Sequence, residues 1–126
     1  MINQIFTKVP DVAWDLMDLA EKPLSLIMDD AGFVAPNVIA EDGSLGIRMI
    51  KSGVCFELIS ALNRPMVSTS ANFSGEAAPS NFEEIKTEIK TQVDYCFPEV
   101  ESDKKKANPS KIIKLKENGE ISILRK

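Results

Sequence analysis

The C-terminal end constrains the fold most. Lys111-Ile112-Ile113-Lys114-Leu115-Lys116 and Ile121-Ser122-Ile123-Leu124-Arg125 are two apolar, β-branched runs separated by Glu117-Asn118-Gly119-Glu120. Asn-Gly supplies the two positive φ values of a type I′ turn, so the pattern predicts a β-hairpin closing the chain. A hairpin is marginal by itself and needs further strands or a helix to cover it.

Those elements are predicted upstream. Val12, Ala13, Leu16, Met17, Leu19 and Ala20 follow a helical period across Pro10–Ala20, with proline at the tolerated start and Pro23 blocking continuation. Leu24–Met28 predicts a buried strand, a helical turn is expected around Asn37–Ala40, and Ser44–Ile50 predicts a second strand. Ser52 is placed to cap a helix through Leu62 whose inward face is Cys55, Leu58, Ile59 and Leu62. Arg64-Pro65 then turns into a short strand, Met66–Thr69. Ser80-Asn81-Phe82-Glu83 has the spacing of a capping box and predicts a helix to about Lys90; Val93–Phe97 predicts a strand, and Glu99–Pro109 a charged loop. Helices alternating with strands indicate one α/β domain around a mixed sheet.

Composition removes several chemistries. The chain has 126 residues, enough for one core, with 44% hydrophobic and 27% charged residues and no histidine. Ser-His-Asp and Cys-His catalysis and histidine-containing metal sites are therefore excluded. Cys55 and Cys96 form no Cys-x-x-Cys pattern and are expected to be buried free thiols. No apolar run reaches the roughly 20 residues of a membrane helix, and Met1-Ile2-Asn3-Gln4 lacks the basic start of a signal peptide, so a cytoplasmic location without membrane contact is expected. A net charge of −4 argues against general nucleic-acid affinity, and the dense basic run Lys104-Lys105-Lys106 reads as a solvated loop or a local patch.

Two places can carry chemistry. Ser68-Thr69-Ser70-Ala71-Asn72 puts hydroxyls and an amide where a predicted strand runs out into a loop, a usual position for ligand oxygens in open α/β sheets. The same residues suit a turn closed by its own side chains. Arg48 lies inside the apolar stretch Leu45-Gly46-Ile47-Arg48-Met49, and is either solvated or committed to an anion that fits its planar fork.

Taken together, Leu45-Gly46-Ile47-Arg48-Met49, a helix, and Arg64-Pro65-Met66-Val67-Ser68-Thr69-Ser70-Ala71-Asn72-Phe73-Ser74-Gly75 resemble the "VAVRMP … RPLVSTSANxSG" block of the YrdC-type threonylcarbamoyl-adenylate synthase family. Lys22-Pro23-Leu24-Ser25-Leu26-Ile27 is similar to that family's "WPGPLTLVL", Asn108-Pro109-Ser110-Lys111-Ile112-Ile113 to "PSTVV", and Ile123-Leu124-Arg125 to the closing "ILR". The resemblance spans roughly residues 9 to 126 and implies a twisted open mixed sheet with helices, incomplete at the N-terminus and ending in the hairpin.

It also implies a reaction in which ATP, L-threonine and bicarbonate give threonylcarbamoyl-AMP and pyrophosphate, with magnesium brought by ATP. The product serves threonylcarbamoyladenosine modification of tRNA through a transferase partner. Arg48, Ser68 and Ser110 fall at threonine-binding positions; Ser44, Ser70, Ala78 and Arg125 fall at ATP-contacting ones; Asn72 would orient the loop. Proximity and charge stabilisation would carry such chemistry without a covalent nucleophile. Departures are Glu21-Lys22-Pro23 in place of Trp-Pro-Gly, Ala78 in place of a common serine, and no counterpart of the family's "PT(D/E)TxYGLG" strand or Lys-x-Arg motif. The expectation is thus a partial domain over residues 1–126 that does not turn over alone and pairs with a second copy through an uncovered sheet edge. The rival reading is a non-catalytic nucleotide- or double-stranded-RNA-binding chain.

Overall fold

The computed structural model describes residues 1–97 and 110–126, and the charged loop expected at 99–109 lies outside them. The chain divides into two compact units, Met1–Val67 with Pro109–Lys126, and Ser68–Asn108.

The first unit is an α/β layer. Its elements are α1 (Ile2–Ile5), α2 (Asp11–Leu19), β1 (Leu24–Met28), β2 (Leu45–Arg48), α3 (Val54–Leu62), β3 (Lys111–Leu115) and β4 (Ile121–Arg125). The four strands form one mixed sheet in the order β2-β1-β3-β4, with β1 and β3 parallel and both outer pairs antiparallel.

Alternation decides the two faces. Leu24, Leu26 and Met28 are buried while Ser25 and Ile27 between them are half-buried, so β1 turns its even-numbered side chains to the core. Its register partners Ile113 and Leu115 add to that face, and Ile5, Phe6, Ala13 and Met17 from the α1 and α2 region close over it. Ala13 and Met17 lie one helical turn apart, so one stripe of α2 meets the sheet. Pro10 precedes α2 and Asp11 occupies its first turn, where an acid complements the helix dipole. At the other end Lys51 Nζ donates to the carbonyls of Asp18 (3.1 Å) and Ala20 (3.2 Å), giving orphan C-terminal acceptors a cation.

The helical turn expected around Asn37–Ala40 is present, as a 3₁₀ turn at Pro36–Val38. Several local expectations are corrected. Gly53 at φ 84°, not Ser52, precedes α3, and no side chain caps that helix. Leu58 and Ile59 are half-buried, whereas Cys55 and Leu62 of the predicted inward face are exposed. Both thiols are exposed, because neither sits on an element that meets the core. Met66–Thr69 and Val93–Phe97 are not strands: a strand exists only through its ladder, and neither segment has one among the described residues.

The hairpin is confirmed but its turn is not type I′. Only Gly119 has positive φ (85°), its N–H donates to the Lys116 carbonyl (2.9 Å), and Lys116 N–H donates to the Glu120 carbonyl (3.0 Å). Asn118 instead accepts from Glu120 N–H through Oδ1 at 2.9 Å, which makes a three-residue loop with glycine at the left-handed position.

In the second unit, α4 spans Thr87–Gln92. The capping expected from Ser80 and Glu83 is displaced by one residue and opens no helix there. Asn81 and Glu84 bond reciprocally (Glu84 N–H to Asn81 Oδ1, and Asn81 Nδ2 to Glu84 Oε1, both 3.0 Å), and α4 begins only at Thr87. Lys86 pairs with Glu76 and lies 5.5 Å from the Phe73 ring centroid.

Leu115 is fully buried at the meeting of strands and helices. Leu115→Ala should therefore destabilise the first unit by about 2–5 kcal/mol, whereas Leu124→Ala, at a half-exposed position, should change stability by no more than about 0.5 kcal/mol. Urea denaturation midpoints of the two variants check this.

Candidate functional site

The sheet face opposite the helices is built by the same alternation. Across the ladder Arg48 on β2 pairs with Ser25 on β1, Ser25 with Ile112 on β3, and Ile112 with Arg125 on β4. Residues paired in this way share a face, so one row carries two arginines and a serine. The neighbouring row is Gly46, Ile27, Lys114 and Ser122.

Arg125 reaches this face through an irregularity. Ile113 pairs with Ile123 but Ile112 pairs with Arg125, leaving Leu124 as the extra residue of a β-bulge. Strict alternation would have put Arg125 on the other face of the sheet with Ile121 and Ile123. One inserted residue turns its guanidinium over to the open side, a familiar use of bulges.

Ser110, immediately before β3, is 7% exposed and completes the row. Its Oγ lies 3.0 Å from Ser25 Oγ and accepts from Arg125 Nη2 at 3.2 Å, while Arg125 Nε donates to the Ser110 carbonyl at 2.8 Å. Arg125 thus spends two N–H groups on holding Ser110 and keeps the rest of its fork. Arg48 is exposed, and its side chain makes no hydrogen bond or ion pair with any described residue.

Ser44 stands on the same side before β2, and its donors are already engaged. Its hydroxyl (2.6 Å) and its backbone N–H (3.0 Å) both donate to Asp42 Oδ1. Asp42 Oδ2 in turn accepts from Lys114 Nζ at 2.9 Å, and Asp29 lies 3.7 Å from the same ammonium. The Ser44 hydroxyl, then Lys114, hold the Asp42 carboxyl well below the usual carboxylate range, and Asp42 holds the Lys114 ammonium above its usual value. Asp42 is more than half exposed, so water screens this pair and its contribution to stability is small.

Ser68, Ser70, Asn72 and Ala78 belong to the second unit. Ser68, Ser70 and Ala78 are exposed. Asn72 Nδ2 donates to the carbonyls of Phe73 and Glu76, both at 3.0 Å, and Glu76 N–H donates to the Phe73 carbonyl at 3.1 Å. Gly75 takes the positive φ (85°) that this turn requires. Asn72 Oδ1 is a buried acceptor without a partner among the described residues.

Of the residues singled out in the sequence, Arg48, Ser110 and Arg125 thus gather at one end of the open sheet face, and Ser44 lies at its other end. Ser25, Asp42 and Lys114 were not singled out. For Ser25 the available signal was a hydroxyl at an alternate position in an otherwise apolar strand.

The chain matches the Sua5/YciO/YrdC family model, described as telomere recombination, over residues 1–126, and it belongs to that family. It is 32% identical over 119 residues to a Methanocaldococcus jannaschii protein named "Putative threonylcarbamoyl-AMP synthase". The match covers 94% of this chain and 54% of that protein, so the chain spans about half the length of this relative. No solved structure matches the chain. Among the described residues no helix is long and apolar enough to cross a membrane, and no cluster of His, Cys, Asp or Glu could hold a metal ion.

Because the folded carboxyl of Asp42 titrates below its ordinary value of 3.8, its contribution is present above that pH and is lost as pH falls further. Carboxyl-carbon NMR titration should place Asp42 below the ordinary aspartate value of 3.8. Ser44→Ala should move it back toward 3.8 by more than Lys114→Met does, since the hydroxyl is the larger cause.

Proposed function

We propose that the chain contributes the amino-acid-binding face of an L-threonylcarbamoyladenylate synthase, which joins ATP, L-threonine and bicarbonate and serves threonylcarbamoyladenosine formation in tRNA. The observation that carries the reading is the row of donors at one end of the open sheet, Arg48, the Ser25–Ser110 pair and Arg125. Membership of the family and the name of the archaeal relative support it.

The chemistry asks for such a face. Bicarbonate takes up a proton and loses water to give carbon dioxide; the amine of threonine attacks it, loses a proton and becomes a carbamate, a carbamate oxygen attacks the α-phosphorus of ATP, and pyrophosphate leaves. Threonine's own carboxylate must be held while its amine stays free to react. An arginine fork and serine hydroxyls do that with donors alone, and orientation of the two reactants supplies the acceleration. In the second unit, Asn72 pins the Phe73–Glu76 turn that follows Ser68 and Ser70. Arg125 keeps N–H groups for a phosphate oxygen, and magnesium would arrive with the triphosphate. Ser44, whose proton is committed to Asp42, offers lone pairs, which suit a nucleoside amino or hydroxyl group better than phosphate. Contact with tRNA would run through a transferase partner.

Calorimetry with the 126-residue chain tests the reading. L-threonine should bind, L-threonine amide should not, and Arg48→Ala should weaken binding by roughly tenfold or more. Binding indifferent to the ligand's carboxylate, or to Arg48, would overturn it. Threonine-dependent pyrophosphate release by the same chain should stay at background, because this sequence holds no Lys-x-Arg pair to neutralise a triphosphate.

The reading extends to assembly. β2 and β4 are the outer strands of the sheet, and β4 exposes Ile121, Ile123 and Leu124. An apolar edge of this kind is a template for a second copy. Sedimentation at micromolar concentration should give twice the chain mass, and Ile123→Lys should return the monomer.

A further inference from the structure

We propose that Ser25 is a positioning residue of the threonine site, acting through Ser110. The inference rests on the reading of that site given above. Ser25 has no role in the sequence pattern beyond a place in strand β1, yet three facts converge on it. It lies directly across the ladder from Arg48. Its Oγ is 3.0 Å from Ser110 Oγ. Ser110 is in turn gripped by Arg125 through both its carbonyl and its hydroxyl.

The count of protons gives the pair its function. A serine hydroxyl has one proton and two lone pairs, and an arginine can only donate. Arg125 fills one lone pair of Ser110 Oγ. If Ser25 donates to Ser110, both Ser110 lone pairs are filled and its own proton has no acceptor within the pair. If Ser110 donates to Ser25, the proton of Ser25 is the one left over. The two hydroxyls share one bond and present one spare O–H; with Ser25 as the donor that O–H belongs to Ser110, beside the strand position of Arg48, and this is the arrangement in which Ser25 acts through Ser110. The guanidinium behind Ser110 polarises that O–H and strengthens it as a donor. The pair therefore favours an acceptor such as a carboxylate oxygen.

Without Ser25, Ser110 can rotate its proton away from the ligand, and the orientation is no longer enforced. The cost should resemble loss of one hydrogen bond to a charged group, roughly tenfold to a hundredfold in affinity.

The experiment uses two isosteres, since Thr and Val differ by a hydroxyl against a methyl group and both suit a strand. Calorimetry should show Ser25→Thr binding L-threonine within about twofold of the unchanged chain. Ser25→Val should lose the full factor with an unchanged urea midpoint. Ser110→Ala alone and Ser25→Val with Ser110→Ala should bind equally, because a residue acting through another adds nothing once that other is gone. Equal binding by the Thr and Val variants, or additive losses in the double variant, would overturn the proposal while leaving the threonine site intact. Absence of threonine binding by the unchanged chain would instead overturn the site reading. The side-chain Nη–H resonances of Arg125, whose Nη2 donates to Ser110 Oγ, then decide the coupling, which predicts a shift in Ser25→Val and none in Ser25→Thr.

Discussion

The parallel pairing of β1 with β3 is the contact on which the rest of the first unit depends. It joins Leu24–Met28 to Lys111–Leu115, segments at opposite ends of the chain, and everything between them is a loop closed by that ladder. Closing so long a loop costs entropy, though the cost grows only logarithmically with length. What offsets it is burial: Leu26 and Met28 on one strand and Leu115 on the other are the largest fully buried side chains among the described residues. Both faces follow from this one register. With Leu26 opposite Ile113, Ser25 must fall opposite Ile112, which carries Ser110 and Arg125 to its side. A slip by one residue would bury the serine and expose the leucines. Packing on the helix side therefore fixes the polar geometry on the other.

The fold was legible wherever local pattern suffices. Leu24–Met28, α2 and both hairpin strands were read from spacing, because their burial depends on a period that the residues themselves display. Met66–Thr69 and Val93–Phe97 carry equally good β-forming residues, but strand formation needs a neighbour, and a neighbour is not a property of the segment. The turn at Asn118 failed for a smaller reason. The side chain of Asn118 bonds the Glu120 N–H, so only Gly119 needs positive φ. Ser52 was read as a cap from residue type and Ser80 from capping-box spacing; Gly53 stands before α3, and Asn81 takes the reciprocal bonds that Ser80 was expected to make.

The candidate site was legible in part and by a different route. Arg48 stood out as a charge in an apolar strand, while the roles of Ser44, Ser110 and Arg125 came from resemblance, not from physics. Resemblance could not say that the Ser44 proton is engaged by Asp42, or that Arg125 faces the open side because Leu124 bulges. Ser25 leaves only a hydroxyl at an alternate position of an apolar strand, and the bulge leaves no mark in composition or periodicity. Both appear only once the register is known.

That geometry also resolves an apparent conflict of charge. A chain with net charge −4 is a poor general ligand for anions, yet its open sheet face carries Arg48, Lys114 and Arg125. The three cations are not equivalent. Lys114 lies between Asp42 and Asp29 and is largely neutralised where it stands. Arg125 meets a carbonyl and a hydroxyl, which orient a guanidinium without cancelling its charge. Arg48 meets no carboxylate among the described residues. The positive potential of the face is therefore concentrated at the end where the two arginines and the two serines meet. Coulomb attraction falls off within about 10 Å at moderate salt, so a surplus of acids elsewhere on the surface does little to weaken it. Selectivity for a small anion at that end would then lie in the placement of the arginines, not in net charge.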